Sequence, residues 1–450
     1  MHLRAVFLVI LACVALARPA VHAQDDVPYV VVVSIDGLMP RTYTMPGPAK
    51  VPTLRRLAAE GSWASGVVGV LPSVTYPSHT TLITGVLPAQ HGIVDNRVFD
   101  PEDRSRGAWH WFAEEIRVPT LPGAVRARGL RAGAVSWPVT VGMDLDYLVP
   151  EYSSPPHPVH LLLLRALSRP GDLLNAAEID RGRPLDWPLT DRDRADLAIH
   201  ILRRHRPHLL LLHMFESDSA LHDHGPDSPE AYEAIERLDG YVAQLIRAAE
   251  EAGLGGRLNL AVVSDHGFLE TRQQLNPNTV FREQGWINID DRGRVTDWKV
   301  WFHPSGGTGW VYLRSSAEAG LHTQVQDVLR RLAADPANGI ARVWSADDLV
   351  RLGAHPDAAF GVEMQPGFAT GSGKDQLLTE AADRGNHGFD PSRPELHASL
   401  ILNGPRVPRA GDLGIVRMTQ IAPTLAQWFG VGLSPEADRP LRLEGRAARQ

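Results

Sequence analysis

Cysteine is almost absent from this 450-residue chain, because Cys13 is the only one. A single cysteine excludes an internal disulfide, and a core built from a chain of this length needs none. An excess of basic residues is also lacking, since the formal net charge is −7. That charge argues against a protein that binds nucleic acid through a basic face. A small anionic substrate stays compatible with it, because bound cations can reverse the local field.

The N-terminal apolar stretch, Ala5–Ala17, is too short to span a bilayer comfortably. With Arg4 before it and a small-residue cleavage motif ending at Ala23, it predicts a secretory signal peptide over residues 1–23. A lipoprotein signal at Cys13 is the weaker alternative. We therefore expect a secreted or periplasmic protein that starts near Gln24, has no cysteine and has no membrane span.

Short apolar runs alternate with helical patterns along most of the chain. This alternation predicts an α/β fold with a mainly parallel central sheet flanked by helices. The predicted strands are Val30–Ile35, Ala132–Trp137, His208–Met214, Leu258–Ser264 and Ala398–Leu402. The predicted helices are Pro52–Glu60, Asp191–Arg204, Ser228–Ala252 and Ala317–Ala333.

The region Thr271–Asp383 differs from the rest, because turn-forming residues there surround short strands and one good helix. We interpret it as a smaller lobe inserted into the catalytic fold. The predicted organisation is a catalytic first part at 24–270, the lobe at 271–383, and a catalytic second part at 384–450.

Ionisable residues follow the apolar strands at three places. Asp36 ends one strand, Asp265 and His266 end another, and Asp218 and His222 come shortly after a third. In an open α/β sheet, ligands gather outside the carboxyl ends of the strands, so these residues can meet in one crevice. Charged groups at the end of a buried strand are costly unless they are paired or bound to a metal. A helical Asp-x-x-x-His places both side chains on one face, although such pairs are often only solvated.

Two further residues complete the candidate site. Thr75 precedes a segment in which Pro77 suits a helix start and Gly85 a helix end, so its hydroxyl would lie near a helix N-terminus. That position favours a bound phosphate, although an ordinary helix-capping threonine is the alternative. His387 lies in a glycine-flanked loop suited to presenting an imidazole. His224 competes with His222 as a ligand.

Oxygen and nitrogen ligands without a thiolate suit zinc, with manganese or iron less favoured. Two metals can activate a nucleophile and stabilise the entering and leaving oxygens of an in-line displacement. Phosphoryl transfer gains most from such charge stabilisation. The seven candidates are Asp36, Thr75, Asp218, His222, Asp265, His266 and His387.

The combined motifs resemble the nucleotide pyrophosphatase/phosphodiesterase family of the alkaline phosphatase superfamily. Beside the Asp218/His222 pair, they comprise Ser34-Ile-Asp-Gly-Leu38, Pro72-Ser-Val-Thr-Tyr-Pro-Ser-His79, Thr84–Asn96, Val263-Ser-Asp-His-Gly267 and Asn386-His-Gly-Phe389. They cover nearly the whole chain in the family's order. Glu216-Ser217 and Val74 depart from the family's commoner residues without removing a ligand.

This resemblance implies a role for each residue of the site. Thr75 would attack phosphorus and form a phosphothreonine intermediate, Asn96 would bind a phosphate oxygen, and Tyr76 would stack on a nucleobase. A second stacking aromatic would be Tyr147 or Tyr152. One zinc ion would be held by Asp36, Thr75, Asp265 and His266, and a second by Asp218, His222 and His387.

The resemblance implies hydrolysis of a phosphodiester or pyrophosphate bond in a small nucleotide-type substrate. A phosphate monoesterase with the same bimetal core is the alternative within enzymes, and a non-catalytic metal- or ligand-binding protein is the alternative outside them. Monoesters carry additional charge, but residues 71–87 contain no basic side chain except His79. The motif around Thr75 therefore favours diesters.

Overall fold

The computed structural model describes residues 27–105, 107–152, 159–315, 318, 320–408 and 411–443. The predicted signal peptide lies outside the described residues. The strands are β1 (Tyr29–Ile35), β2 (Ser62–Trp63), β3 (Gly66–Val68), β4 (Ala132–Val135), β5 (Tyr147–Val149), β6 (Leu209–Met214), β7 (Leu258–Val263), β8 (Leu269–Leu275), β9 (Ile287–Ile289), β10 (Val295–Trp298), β11 (Val300–Ser305), β12 (Thr308–Leu313), β13 (Ile340–Ser345), β14 (Phe360–Met364), β15 (Gly367–Thr370), β16 (Leu378–Glu380), β17 (Gly385–Asn386), β18 (Leu400–Asn403), β19 (Gly411–Asp412) and β20 (Ile415–Arg417). The α-helices are α1 (Arg41–Thr44), α2 (Pro52–Glu60), α3 (Thr75–Thr84), α4 (Pro88–His91), α5 (Leu121–Ala127), α6 (Val159–Leu167), α7 (Leu173–Arg181), α8 (Asp191–His205), α9 (Glu216–His224), α10 (Pro229–Glu251), α11 (Asn278–Glu283), α12 (Leu321–Ala334), α13 (Ala346–Arg351) and α14 (Ile421–Phe429).

An eight-stranded sheet in the order β19-β2-β18-β7-β1-β6-β4-β5 forms the centre of the fold. Strand β1 pairs in parallel with β6 on one side and with β7 on the other. Strand β18 is antiparallel to both of its neighbours. All five predicted strands lie in this sheet, so the predicted α/β class with a mainly parallel sheet is confirmed.

Helices cover both faces of the central sheet, as a parallel sheet buried on both sides requires. Alternate residues of β1 point to opposite faces, so Val31 and Val33 belong to one core, and Val30 and Val32 to the other. The first core includes residues of α2, α7, α8 and α10. The second includes residues of α3, α5 and α14. The apolar run of β1 is continuous because neither face meets water.

A second region has its own sheet and core between β8 and β17. Strands β11, β12, β14 and β13 form a four-stranded antiparallel sheet, and α12 packs beside it. Strand β8 leads away from the central fold and β17 returns beside it, with Glu270 opposite Gly385 and Leu269 opposite Asn386. This pairing delivers His387 to the carboxyl end of the central sheet.

The backbone conformation of a single residue accounts for one strand end and for one helix start. Strand β4 stops at Val135 because Ser136 adopts a positive φ of 51°, which breaks the extended backbone. Helix α12 begins at Leu321, directly after its N-cap Gly320, whose φ is +80°. Ala317, the predicted start of this helix, lies outside the described residues. No helix among the described residues combines the length and apolar character needed to cross a membrane.

Candidate metal centre and active site

The first cluster of ligand atoms forms where β1 and β7 end side by side. Asp36 directly follows β1, and Asp265 and His266 follow β7 after one serine. One ligand atom from each of the three side chains lies within 4.8 Å of the others. The pairing of neighbouring parallel strands brings them together, as expected for ligands at the carboxyl ends of such a sheet.

The second cluster uses α9, which follows β6, together with the returning segment after β17. Asp218, His266 and His387 each offer a ligand atom within 4.8 Å of the other two. The rings of His266 and His387 stack with centroids 3.7 Å apart and an interplanar angle of 10°. His222 lies one turn from Asp218 on α9, with its Nε2 atom 3.5 Å from Asp218 Oδ1. Six of the seven predicted ligands therefore meet at the carboxyl end of the central sheet.

Several buried polar atoms in these clusters have no hydrogen-bond partner, and a bound cation would supply one. They are Asp36 Oδ1, Asp218 Oδ1, Asp265 Oδ2 and both ring nitrogens of His266. Buried polar groups are costly without a partner, and nearly all in native proteins have one. Carboxylate oxygens and imidazole nitrogens are ligands that zinc and related divalent cations accept. The residues present therefore fit a two-metal centre.

The electrostatics point the same way. Burial, with the neighbouring carboxylates of Asp265 and Asp218, raises the pKa of Asp36 well above its usual value. Burial alone would lower the pKa of His266, but the Asp265 carboxylate raises it to about 9. Burial lowers the pKa of His387 well below its usual value. Without a cation, these groups compete for protons, and a divalent cation takes the place of those protons.

Backbone carbonyls orient the histidines of the second cluster. The Nδ1 atom of His387 lies 3.1 Å from the carbonyl oxygen of Ser73, and that of His222 lies 3.0 Å from the carbonyl oxygen of Gly385. A carbonyl only accepts, so Nδ1 donates in both rings, and Nε2 of the neutral ring keeps its lone pair. Both Nε2 atoms face Asp218 Oδ1, which is the arrangement that a metal-binding histidine needs.

Thr75 is the first residue of α3. Its carbonyl oxygen accepts from His79 Nδ1 at 2.8 Å, and the same nitrogen lies 3.7 Å from Asp265 Oδ2. The helix ends at Gly85, whose φ of 76° forms a left-handed C-cap. Val74, not Thr75, occupies the N-cap position, so Thr75 is not the helix-capping threonine of the alternative interpretation. The helix N-terminus provides a position suited to an anion.

Asn96 is linked to the residue that follows Thr75. Its Oδ1 atom accepts from the backbone N–H of Tyr76 at 2.8 Å. The backbone N–H of Asn96 donates to Asp95 Oδ1 at 2.7 Å, and Asp95 Oδ2 accepts from Trp310 Nε1 at 2.9 Å. These bonds fix the amide with its oxygen toward the helix, so the amide nitrogen remains as a donor for a ligand beside Thr75.

Tyr76 requires a correction to its implied role. Its side chain is fully buried, its hydroxyl donates to Glu151 at 2.9 Å, and its ring contacts Trp109 with centroids 5.1 Å apart. The ring therefore presents no open face on which a nucleobase could stack. Tyr76 is buried because its ring packs with Ile93, Val139 and Trp109 and its hydroxyl bonds to Glu151.

The two candidates for the second stacking aromatic lie at opposite ends of β5. Tyr147 begins the strand and stacks on His205 with centroids 4.3 Å apart. Tyr152 follows the carboxyl end of the strand, is half-buried, and lies 4.9 Å from the ring of Trp111. The site lies at the carboxyl ends of the strands, so the position of Tyr152 favours it over Tyr147 as the second stacking aromatic.

Two buried residues beside the site were not predicted from the sequence. His213 lies inside β6, with one ring nitrogen near Asp36 and the other near Glu151. An imidazole within an otherwise apolar strand is a signal that could have identified it, because such a side chain needs partners. His224, the competing ligand, is exposed at the end of α9 and belongs to neither cluster found among the described residues.

Comparison with known proteins gives the family. The type I phosphodiesterase / nucleotide pyrophosphatase family model matches residues 30–390. The chain belongs to this family, so the predicted membership of an enzyme family is confirmed.

Among curated relatives, human ectonucleotide pyrophosphatase/phosphodiesterase family member 1 is 25% identical over 268 residues, covering 57% of this chain and 25% of that protein. This chain thus spans about a quarter of that relative's length. An uncharacterized pyrophosphatase/phosphodiesterase of Schizosaccharomyces pombe is 28% identical over 402 residues, covering 83% of this chain and 71% of that protein.

Solved structures show the same fold. Murine ectonucleotide pyrophosphatase/phosphodiesterase 5 matches with a TM-score of 0.65 and 21% identity, over 90% of this chain and 96% of that chain. An inactive variant of the murine protein in complex with AMP matches with a TM-score of 0.64 and 21% identity, over 91% and 96% of the two chains. The fold is therefore alkaline-phosphatase-like, as predicted.

Proposed function

We propose that this chain is a two-zinc hydrolase that cleaves phosphodiester or pyrophosphate bonds, with nucleotide-type compounds as substrates. The observation that carries the proposal is the set of buried, unpartnered carboxylate and imidazole atoms beside the N-terminus of α3. Asp36, Asp218 and Asp265 pair only with histidines among the described residues. An anionic phosphate could not approach three carboxylates unless bound cations reversed the field.

The ligand assignment follows the two clusters. We assign one zinc ion to Asp36, Thr75, Asp265 and His266, and the other to Asp218, His222 and His387. The shared neighbourhood of His266 in both clusters supports two centres close together. When bound, such a pair of ions would polarise the phosphoryl oxygens and stabilise the charge that develops on the entering and leaving oxygens.

The chain's own residues would carry out the displacement. Thr75 Oγ1 loses its proton and forms a bond to phosphorus while the bond from phosphorus to the leaving oxygen breaks and that oxygen takes up a proton. The product is a phosphothreonine that keeps the other substituent of the substrate. Water then attacks phosphorus and releases Thr75, so one water molecule is consumed in each turnover. The N-terminus of α3 favours the phosphoryl group, and the amide nitrogen of Asn96 donates to a non-bridging oxygen.

Substrate preference follows from charge and from the likeness to known structures. No Lys or Arg pairs with the three carboxylates among the described residues, and residues 71–87 contain no basic side chain except His79, which supports a diester over the more highly charged monoester. The complex of a structural neighbour with AMP supports a nucleotide as substrate. Tyr152 and Trp111 are the aromatic side chains that we assign to the wall beside a nucleobase.

Two further features belong to this proposal. The N-terminal sequence over residues 1–23 supports export to the periplasm or medium, with cleavage before Gln24. The lobe at 271–383, between the catalytic parts at 24–270 and 384–450, would shape the pocket for the leaving group, because inserted segments near strand ends commonly form pocket walls.

The test compares purified wild-type protein with Thr75→Ala. Zinc content is measured by atomic absorption, and hydrolysis is measured on bis-p-nitrophenyl phosphate, a nucleotide phosphodiester and p-nitrophenyl phosphate. We expect two zinc ions per chain, diester hydrolysis well above monoester hydrolysis, and no turnover by Thr75→Ala. A preference for the monoester would instead identify a phosphate monoesterase. Absence of both metal and turnover would leave a non-catalytic protein and refute the proposal.

A further inference from the structure

A chain of buried polar contacts begins at the ligand Asp36. Its Oδ2 atom lies 3.1 Å from His213 Nε2, and His213 Nδ1 lies 3.0 Å from Glu151 Oε2 and 3.1 Å from the carbonyl oxygen of Ser136. The other oxygen of Glu151 accepts from the hydroxyl of Tyr76 at 2.9 Å. The imidazole of His213 is 1% exposed, so these contacts exclude solvent.

The two oxygens of Asp36 differ in their contacts. Oδ2 is occupied by His213, whereas Oδ1 has no hydrogen-bond partner and lies 3.4 Å from His266 Nε2 inside the first cluster. A carboxylate held through one oxygen cannot rotate freely about its last bond. The free oxygen is therefore kept facing the place where a cation would bind.

The same contacts connect Asp36 to the start of α3, which carries Thr75. Tyr76 follows Thr75 directly, and its N–H donates to Asn96 while its hydroxyl donates to Glu151. Strand β6 consists otherwise of apolar residues, so a leucine at position 213 would pack without the cost of burying an imidazole. A buried histidine placed between two buried carboxylates is therefore explained better by the ligand that it holds than by stability of the core.

We propose that His213, held by Glu151, is a positioning residue that orients Asp36 for metal binding and couples that ligand to the segment carrying Thr75. The inference rests on the proposed function to the extent that Asp36 binds a metal. Partners of metal ligands are commonly worth 10–100-fold in metal affinity, so an effect of roughly that size is expected here.

The experiment measures zinc affinity by competition with a chromophoric chelator in full-length mature protein. The variants are His213→Leu, Glu151→Leu and Glu151→Gln, with His355→Leu as the matched control. His355 is also a buried histidine, bonded to the hydroxyl of Tyr312, but lies away from both clusters. The absorption spectrum of the cobalt-substituted proteins gives a second measurement of geometry at the metal.

We expect His213→Leu to weaken one of the two zinc sites about 10–100-fold, to leave the other unchanged, and to alter the cobalt spectrum. Glu151→Gln keeps an oxygen acceptor for His213, so it should lose less affinity than Glu151→Leu. His355→Leu should keep both zinc affinities.

Equal zinc affinities in the wild type and in both His213→Leu and Glu151→Leu would overturn the inference. Equal weakening of both sites, matched by His355→Leu, would also overturn it, because it would indicate a general loss of packing. These outcomes are separable from failure of the proposed function, since wild-type protein that binds two zinc ions without hydrolysing diesters would refute only the latter.

Discussion

His387 Nδ1 and the carbonyl oxygen of Ser73 lie 3.1 Å apart, although 314 positions separate the two residues in the sequence. The same carbonyl accepts from the N–H of Gly388 at 2.9 Å, and the hydroxyl of Ser73 donates to the carbonyl of Phe389 at 2.8 Å. These bonds join the segment that returns from the second sheet to the loop that precedes Thr75. These three bonds thus connect a residue of the second cluster to the segment that carries the proposed nucleophile.

Replacing His387 by alanine should remove one ligand of the second zinc ion. We expect the loss or strong weakening of one zinc ion per chain and a fall in diester hydrolysis by several orders of magnitude, because both metals stabilise the charge in the displacement. Zinc content by atomic absorption and kcat/KM on bis-p-nitrophenyl phosphate measure the two effects. His224→Ala is the control and should retain both zinc ions. Near-normal zinc and rate in His387→Ala would exclude this residue as a ligand.

Trp310→Phe should weaken the proposed hydrogen bond from Asn96 to the phosphate, because Trp310 supports Asn96 through Asp95. The substitution removes the Nε1–H that donates to Asp95, whose other oxygen accepts from the Asn96 backbone. A hydrogen bond to a charged group is worth about 1.5–3 kcal/mol, so kcat/KM should fall about 10-fold or more while zinc content stays unchanged. Trp344→Phe, in the same four-stranded sheet, serves as the control for lost aromatic packing. Identical kinetics for the two variants would contradict a role for the Asp95 contact.

Removal of metal by a chelator should lower the melting temperature at pH 7. Burial disfavours the charged form of Asp36, whose pKa is raised in the cation-free fold, so stability falls as the pH rises through that pKa. Binding of a ligand at 1,000 times its Kd adds about 4 kcal/mol to the free energy of unfolding. Differential scanning fluorimetry with and without added zinc measures the shift. A melting temperature that does not respond to either chelator or zinc would refute a metal centre.

His91 should make the stability of the metal-free protein depend on pH. Its Nδ1 atom accepts from the N–H of Ile93 and its Nε2 atom contacts Thr81 Oγ1, so the neutral ring is satisfied. Burial lowers the pKa of His91 from 6.5 to about 3. The unfolded chain therefore binds the extra proton first, and this contribution to stability is complete above pH 6.5 and is lost as the pH falls toward about 3.

The measurement for this prediction is the free energy of unfolding in urea at several pH values from 7 to 4, in the presence of chelator. One group contributes at most about 1.4 kcal/mol for each pH unit in that window. His91→Gln keeps a donor and an acceptor but does not titrate, so its stability should depend less steeply on pH. Parallel curves for the two proteins would contradict the expected role of His91.

Much of the fold could be predicted from the sequence because its signals are local. Burial on both faces makes β1 continuously apolar, and Pro77 and Gly85 mark α3 through the backbone angles that they favour. The spacing of Asp218 and His222 predicted that they would share one face of a helix, and α9 confirms the helix.

Tertiary structure decided which residues of the site are neighbours. The pairing of β8 with β17 brings His387 to Ser73, and no local pattern records that contact. Only packing buries Tyr76 against Glu151, which corrects the role drawn from its place after Thr75. Likewise, His213 lies between two carboxylates because β6 pairs with β1 in a particular register, with His213 opposite Ser34. The sequence by itself determined the chemical groups and the strands that end at the site, because those depend on residue type and period. Their distances, their burial and the partners of each ligand depend on contacts between segments far apart in the chain, which only the folded structure sets.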